Sequence, residues 1–180
     1  MRRYLINGWQ FIISVTFVFA PGLVAAQTTA NGPYYATPSW DQQLPAVTRF
    51  VVLSNWGGAA VLDRETGLVW EKSPDAIPRT WADAQRSCVM KEVGGRSGWK
   101  LPSIQELASL IDRTASNPAL PAGHPFANVQ SSFYWSATTL AFNSNSAWIV
   151  SLAPGVVTDD VKPAADFVWC VRGGPGGEFQ

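Results

Sequence analysis

The chain contains two cysteines, Cys88 and Cys170, which lie 82 residues apart in a sequence of 180. If they are bonded, the bridge ties the middle of the chain to its last segment and limits how the elements between them can pack. An even pair of cysteines in an oxidising compartment most simply forms one disulfide. A reactive thiol or a metal site is the alternative, but a metal needs more ligands than two cysteines and the single histidine supply.

The first 26 residues have the pattern of a secretory signal peptide. Arg2 and Arg3 precede an apolar run at 11–20, and Val24-Ala25-Ala26 supplies the small residues at which signal peptidase cuts. We expect cleavage after Ala26, because the apolar run is shorter than the roughly 20 residues that span a bilayer. An uncleaved anchor is the alternative. The mature chain is predicted to have no membrane span and to be secreted, periplasmic or held at the cell surface.

Size and charge limit the partners of the mature chain. Removing 26 of the 180 residues leaves 154, which is enough for one domain with its own core. Without Arg2 and Arg3, 11 Lys and Arg oppose 13 Asp and Glu, a net charge of −2. This balance gives no reason to expect nucleic acid as a partner. A locally basic stretch runs from Arg86 to Lys100, and spaced charges of this kind usually form a solvated face.

The predicted domain boundaries follow changes in composition. Residues 27–48 contain several prolines and show no periodicity, so we expect an extended leader there. The domain itself is predicted at 49–175, followed by a tail at 176–180. One domain is expected.

The predicted elements are strands, then two helices, then more strands. Thr80 with Asp83 begins the first helix, which Gly94 stops, and Ser103 with Glu106 forms a capping box for the second. Gly67 suits the turn of an early hairpin. Strands are predicted at 50–53, 60–62, 68–70, 133–137, 147–151, 156–157 and 167–171. This order predicts the α+β class.

Five short motifs occur along the chain, and each couples an aromatic residue or a cysteine to a turn. They are Thr66-Gly67-Leu68-Val69-Trp70; Trp81 with Ala84 and Cys88; Trp99-Lys100-Leu101-Pro102-Ser103 with Glu106-Leu107; Tyr134-Trp135-Ser136-Ala137; and Cys170-Val171-Arg172-Gly173-Gly174. Over residues 50–174 the set resembles the C-terminal domain of the Legionella collagen-like adhesin.

The resemblance implies a C-type-lectin-like fold: two helices with a mostly antiparallel sheet, long late loops and one disulfide between a helix and the final strand. It also implies adhesion, with glycosaminoglycan binding known in the family. This chain has no collagen-like repeat. The trimerising stalk of the adhesin is therefore not implied.

Most tryptophans of the chain are expected in the core, because they stand beside apolar residues within the motifs. These are Trp70, Trp81, Trp99, Trp135 and Trp169. Trp148 differs, since it follows the polar run at 143–146, and an exposed indole can stack on a sugar face. It is the predicted binding platform.

The ligand is predicted to bind two late loops, 143–146 and 154–164, which show no apolar period and can vary without disturbing a core. In C-type-lectin-like folds such late loops form the binding face, so the resemblance points to the same place. The candidate ligand-binding residues are Asn143, Asn145, Trp148, Asp159, Asp160 and Lys162. The rival surface is the basic stretch from Arg86 to Lys100, which would favour a polyanion.

No catalytic, metal or cofactor site is predicted. His124 stands alone between Gly123 and Pro125 without a motif partner. Calcium at Asp159 and Asp160 is a weaker alternative, because this ion normally takes six or more oxygen ligands.

The sequence therefore predicts an exported, non-catalytic domain that recognises an extracellular glycan or a surface protein. A structural or interaction module of a bacterial surface assembly is the first alternative. An envelope glycan-processing enzyme is the second, and it would need two positioned carboxylates in one cleft.

Overall fold

The computed structural model describes residues 44–173, so the signal and most of the leader lie outside the described residues. The helices are α1 (Ala46–Arg49), α2 (Trp81–Val89) and α3 (Ile104–Ala108). The strands are β1 (Phe50–Val52), β2 (Ala60–Asp63), β3 (Leu68–Glu71), β4 (Asp75–Arg79), β5 (Phe133–Leu140), β6 (Asn143–Ser151), β7 (Val156–Val161), β8 (Asp166–Val168) and β9 (Val171–Arg172). No helix among these residues is long and apolar enough to cross a membrane.

The strands form two sheets. One has the order β1-β2-β3-β9 and is antiparallel, and the other has the order β4-β8-β5-β6-β7. In the second sheet only the β5–β8 pair is parallel. The predicted α+β class with mostly antiparallel pairing is confirmed. The final strand β9 completes the first sheet by pairing with β3, so the first and last strands of the domain belong to the same sheet.

Both longer helices begin where the sequence predicts. The Thr80 side chain accepts a hydrogen bond from the backbone of Asp83, and Ser103 and Glu106 form a reciprocal capping box. α2 ends at Val89 rather than at Gly94. The reason is that Gly94 and Gly95, both with positive φ, form the turn of a small hairpin that follows the helix.

A cluster of aromatic rings fills the core beside the first sheet. The ring of Trp169 lies 4.8 Å from Phe126 and 5.7 Å from Trp70, both in edge-to-face geometry, and 5.9 Å from Tyr134. Four of the five tryptophans predicted as core residues are at most 2% exposed, while Trp81 is half-buried. The prediction that the motif tryptophans are framework residues is confirmed for these four.

A disulfide joins Cys88 on α2 to Cys170, and both residues are fully buried. Glu71 supports the bridge, because its Oε2 accepts the backbone N–H of Cys170 at 2.8 Å while its Oε1 binds Lys91 Nζ at 2.7 Å. Burial raises the pKa of Glu71, and Lys91 opposes that shift. The predicted pairing of the two cysteines is confirmed.

The late segments are strands, which corrects the expectation of long late loops. Residues 143–146 begin β6, and most of 154–164 belongs to β7. β7 lies at the edge of the second sheet and is therefore paired on one side only. An edge strand of this kind faces solvent and carries polar side chains, so its sequence shows no apolar run.

Three further elements differ from the sequence prediction. The strand β4 was not predicted, because Pro78 and two charged residues in five make it atypical of a strand. The predicted strand at 167–171 is two strands, β8 and β9, that belong to different sheets. The last residues of the predicted leader, 46–48, form most of the helical turn α1.

The turn α1 is held to the first sheet by a buried arginine. Arg49 Nε and Nη2 donate to the two carboxylate oxygens of Asp63 at 2.9 and 2.7 Å, and Nη1 lies 2.9 Å from Glu65. Nη2 also donates to the carbonyl of Ser109 at 2.8 Å. These bonds fix the point at which the leader enters the domain.

Candidate functional site

The asparagines predicted as ligand contacts lie at the turn between β5 and β6. The side chain of Asn143 donates to Ser146 Oγ at 3.0 Å and accepts the backbone N–H of Asn145 at 3.1 Å. Asn143 therefore stabilises the turn itself. Both asparagines are exposed.

Trp148 and Asp159 lie side by side on one face of the second sheet. They are direct partners in the antiparallel pair β6–β7, and directly opposed residues point to the same face. Trp148 is half-buried and Asp159 is exposed. The structure thus brings these two predicted residues together on an open, strand-built surface.

Asp160 points to the opposite face from Asp159, because successive side chains of a strand alternate. Its Oδ1 accepts the backbone N–H of Val161 at 2.7 Å. Two carboxylates on opposite faces cannot bind one calcium ion. Within residues 44–173 no group of three or more metal-binding side chains occurs.

Lys162 is already engaged within the domain. Its Nζ donates to Thr139 Oγ1 at 3.0 Å and lies 4.0 Å from the ring centroid of Trp81. The indole N–H of Trp81 in turn donates to the carbonyl of Ser136 at 2.8 Å. Lys162 therefore packs at the end of the second sheet. These contacts do not bring it to the surface that carries Trp148.

Most of the predicted basic stretch is neutralised by carboxylates. Arg86 pairs with Asp83 at 2.9 Å, Lys91 with Glu71 at 2.7 Å, and Lys100 with Glu106 at 2.7 Å. A shallow depression of about 490 Å³ beside α2 is lined by the paired Asp83 and Arg86. The stretch is thus mainly a face of internal ion pairs.

Arg96 is the exception, and it meets two residues that sequence reasoning did not connect with it. The guanidinium carbon of Arg96 lies 5.8 Å from the ring centroid of Trp56, and that of Arg172 lies 5.5 Å from the same ring. Neither arginine forms an ion pair with a carboxylate of the described residues. We call Trp56, Arg96 and Arg172 the arginine–indole cluster.

The backbone holds the arginine–indole cluster in place before any ligand arrives. Val93 and Arg96 exchange two backbone hydrogen bonds of 3.1 Å across the Gly94-Gly95 turn. A Cβ on Gly94 would lie 2.7 Å from Trp56 Cβ, so only glycine allows this approach. The indole N–H of Trp99 fixes the carbonyl of Arg96 at 2.7 Å. These contacts fix the backbone of Arg96 beside Trp56.

Chemically, the cluster combines two cations with one aromatic face at the surface. Arg96 is exposed, while Trp56 and Arg172 are half-buried. Two unpaired guanidinium groups create a local positive potential and can each donate paired hydrogen bonds to a carboxylate or sulfate. The indole ring of Trp56 lies close to both guanidinium groups and meets Trp99 edge-to-face at 6.2 Å. The arrangement can bind an anionic group.

Comparison of the sequence with family profiles identifies a family. The profile of the Lcl C-terminal domain matches residues 59–172, well over half of the chain. The chain belongs to the Lcl C-terminal domain family. The resemblance drawn from the five motifs is confirmed. Comparison with the curated proteins gives no match.

As an Lcl C-terminal domain, the chain belongs to an adhesin-like extracellular class, and its buried disulfide agrees with that location. The matched segment includes Arg96, Arg172 and the strands β6 and β7, and it starts just after Trp56. The signal peptide itself lies outside the described residues and stays a prediction.

One acid in this Lcl C-terminal domain is unusual. Asp166 on β8 is 7% exposed, and its Oδ2 has no hydrogen-bond partner among the described residues. Burial, with a smaller contribution from the charge of Asp160, raises the pKa of Asp166 to about 6. A raised pKa beside a second carboxylate is typical of glycosidases. However, a side chain buried to this degree leaves little access for a substrate.

His124 lies in the loop that precedes Phe126. Its Nδ1 accepts the backbone N–H of Phe126 at 3.2 Å, and burial lowers its pKa. These contacts account for the histidine as a residue that stabilises its own loop.

Proposed function

We propose that this protein is an exported, non-catalytic adhesin-like module that binds an acidic extracellular glycan through the arginine–indole cluster. One observation carries the proposal: two guanidinium groups flank a single indole, and neither is neutralised by a carboxylate of the described residues. Two neighbouring cations without a carboxylate partner among the described residues are suited to a sugar that carries carboxylate or sulfate groups.

The contrast with neighbouring charges supports this assignment. Arg86 and Lys100 lie on the same stretch of sequence, but each forms an ion pair, with Asp83 and Glu106 respectively. Exposed ion pairs of this kind contribute little to binding a further anion, because their charge is already compensated. Arg96 and Arg172 therefore account for the available positive charge of this region.

The absence of catalysis is part of the same proposal. The buried carboxylates of Asp63 and Glu71 are held by Arg49 and Lys91, which makes them structural acids. Asp166 is the acid with the pKa best suited to general acid chemistry, but its burial argues for a structural position. A binding function needs none of these groups to reach a substrate.

A matched pair of polymers tests the proposal. Dextran sulfate and neutral dextran share a backbone and differ in charge, so their binding to the purified exported protein isolates the anionic contribution. We expect binding of dextran sulfate to weaken as salt rises, because surface cations are screened. The double variant Arg96→Ala/Arg172→Ala should weaken it at least tenfold.

Two controls locate the site. Arg86→Ala removes a surface arginine that is already paired and should leave the affinity unchanged. Trp148→Ala and Asn145→Ala test the rival surface on β6, where sequence reasoning placed the ligand. If these two variants abolish binding while the double arginine variant does not, the arginine–indole cluster is not the glycan site.

A further inference from the structure

The strand β7 leaves one side of its backbone open. It is the last strand of the second sheet, and its other side is paired with β6 over the whole length from Val156 to Val161. An exposed strand edge carries a row of unpaired N–H and C=O groups that can bind another strand. The hydrogen-bond register with β6 determines which backbone groups of β7 face outward.

The hydrogen bonds of the β6–β7 pair identify them. The N–H of Lys162 donates to the carbonyl of Asn145, its direct partner in the register, at 2.8 Å. Hydrogen-bonded and non-hydrogen-bonded pairs alternate in an antiparallel ladder, so Asp160, Thr158 and Val156 bond to β6. The backbone groups of Val157, Asp159 and Val161 therefore point away from the sheet.

Two of these three residues keep open backbone groups. The N–H of Val161 is satisfied by Asp160 Oδ1, and its carbonyl accepts the N–H of Ala164. Val157 and Asp159 have no such partners within the described part of the chain. The open edge thus consists of four backbone groups, one N–H and one C=O on each of these two residues.

The side chains beside the open edge form a short pattern. Val157, Asp159 and Val161 share one face, and they are apolar, acidic and apolar in that order. The two valines are 39% and 51% exposed. A partner strand that matches this face would be apolar, basic and apolar at alternating positions, because opposed side chains interact in pairs.

The same pattern argues against a second copy of this chain. Pairing two β7 strands about a two-fold axis so that Val157 meets Val161 places Asp159 opposite its own copy. Like charges directly opposed across a strand pair are destabilising. In this register the acid disfavours a second copy and favours a partner of opposite charge.

From this juxtaposition we infer that β7 docks an extended, basic segment of a partner protein by strand addition. Backbone hydrogen bonds to Val157 and Asp159 hold the segment, and a lysine or arginine opposite Asp159 sets its register. This surface differs from the arginine–indole cluster, and it would serve assembly rather than glycan capture.

A labelled seven-residue peptide that alternates threonine with valine, lysine and valine is the probe. Its control carries glutamate in place of lysine, and a second control is N-methylated at the valines and the lysine, which removes the donors needed for strand addition. Fluorescence anisotropy measures binding to the exported protein. We expect the glutamate peptide to bind about five- to tenfold more weakly and the N-methylated peptide to give no binding.

The protein variants make the test specific. Asp159→Lys should reverse the preference between the lysine and glutamate peptides, while Asp160→Asn, on the other face, should leave it unchanged. The variant Arg96→Ala/Arg172→Ala should bind the lysine peptide normally, which separates this inference from the glycan proposal. Hydrogen exchange at the amides of Val157 and Asp159 should slow when the peptide is present.

Three results would overturn the inference. One is equal binding of the N-methylated peptide, and another is an unchanged preference in Asp159→Lys. The third is concentration-dependent self-association in sedimentation that Asp159→Lys alters, which would assign the edge to a second copy.

Discussion

Arg49 and the pair Arg96 and Arg172 form two groups that differ in what neutralises their charge. Arg49 uses its donors on Asp63, Glu65 and a backbone carbonyl, and its guanidinium carbon lies 4.7 Å from the ring centroid of Phe50. Arg96 and Arg172 also lie against an aromatic ring, but they have no carboxylate partner among the described residues. Stacking on a ring is therefore common to both groups, and carboxylate pairing separates them.

Burial gives this difference its energetic meaning. Asp63 is fully buried and Arg49 is 6% exposed, so removing one partner leaves an uncompensated charge in a poorly hydrated site. Arg96 is exposed and loses little solvation in any state. We conclude that Arg49 acts on stability, whereas the charge of the arginine–indole cluster is available to a ligand.

The largest expected effect is on Arg49. Arg49→Ala should lower the free energy of unfolding by about 3–5 kcal/mol, because it breaks a buried ion pair and leaves Asp63 without its cation. Urea unfolding followed by tryptophan fluorescence measures the change. Arg96→Ala/Arg172→Ala is the matched control and should shift stability by no more than about 0.5 kcal/mol. Equal losses in the two variants would contradict the distinction between the groups.

Asp166 extends the comparison to a buried charge without a cation. Its raised pKa means that the folded state holds this proton at pH values where the unfolded state has released it. The free energy of unfolding should therefore fall as pH rises from about 4 to about 6, and the loss should be complete above pH 6.

Asp166→Asn should remove this pH dependence and raise the free energy of unfolding at pH 8 by about 1–2 kcal/mol. Unfolding curves of both proteins at pH 4, 6 and 8 provide the measurement. Asp159→Asn, which changes an exposed acid, is the control and should leave the fall in the free energy of unfolding between pH 4 and pH 8 unchanged. If Asp166→Asn is destabilising at pH 8, the carboxylate has a partner that the described residues do not supply.

Local signals predicted the framework well because they act within a few residues. Thr80 and Ser103 cap their helices, because each side chain accepts the backbone N–H of the residue three positions later. Gly67 adopts the left-handed conformation that its turn requires. The disulfide followed from the compartment expected for the chain. In each case the decisive interaction could be recognised from residue types at short spacing or from a simple count.

The candidate site could not be predicted in the same way. Trp56 and Arg172 belong to opposite ends of the domain, and they meet only because β9 pairs with β3. The signal available was indirect: three glycines around Arg96, in Gly94-Gly95-Arg96-Ser97-Gly98, indicated a tightly turned backbone there. The sequence predicts only residues 156–157 of the edge strand β7 as a strand, because strand pairing on one side requires no apolar pattern.

The smallest expected effect concerns Ser103, a polar framework residue between the paired Lys100 and Glu106. Its Oγ accepts the N–H of Glu106 at 3.2 Å, and the Glu106 carboxylate accepts the N–H of Ser103 at 2.8 Å. Ser103→Ala removes one of these two capping bonds and should lower the free energy of unfolding by about 1 kcal/mol.

Since Ser103 belongs to the group of residues that act within the framework, Ser103→Ala should leave the affinity for dextran sulfate unchanged. Thermal unfolding and the polymer binding assay, applied to the same protein sample, measure both quantities together. Ser103→Asp, which restores a good N-cap, should recover the stability and thereby show that the lost bond is the cause. A selective loss of dextran sulfate binding at unchanged stability would place this helix start in the glycan site and remove the boundary between framework and binding surface.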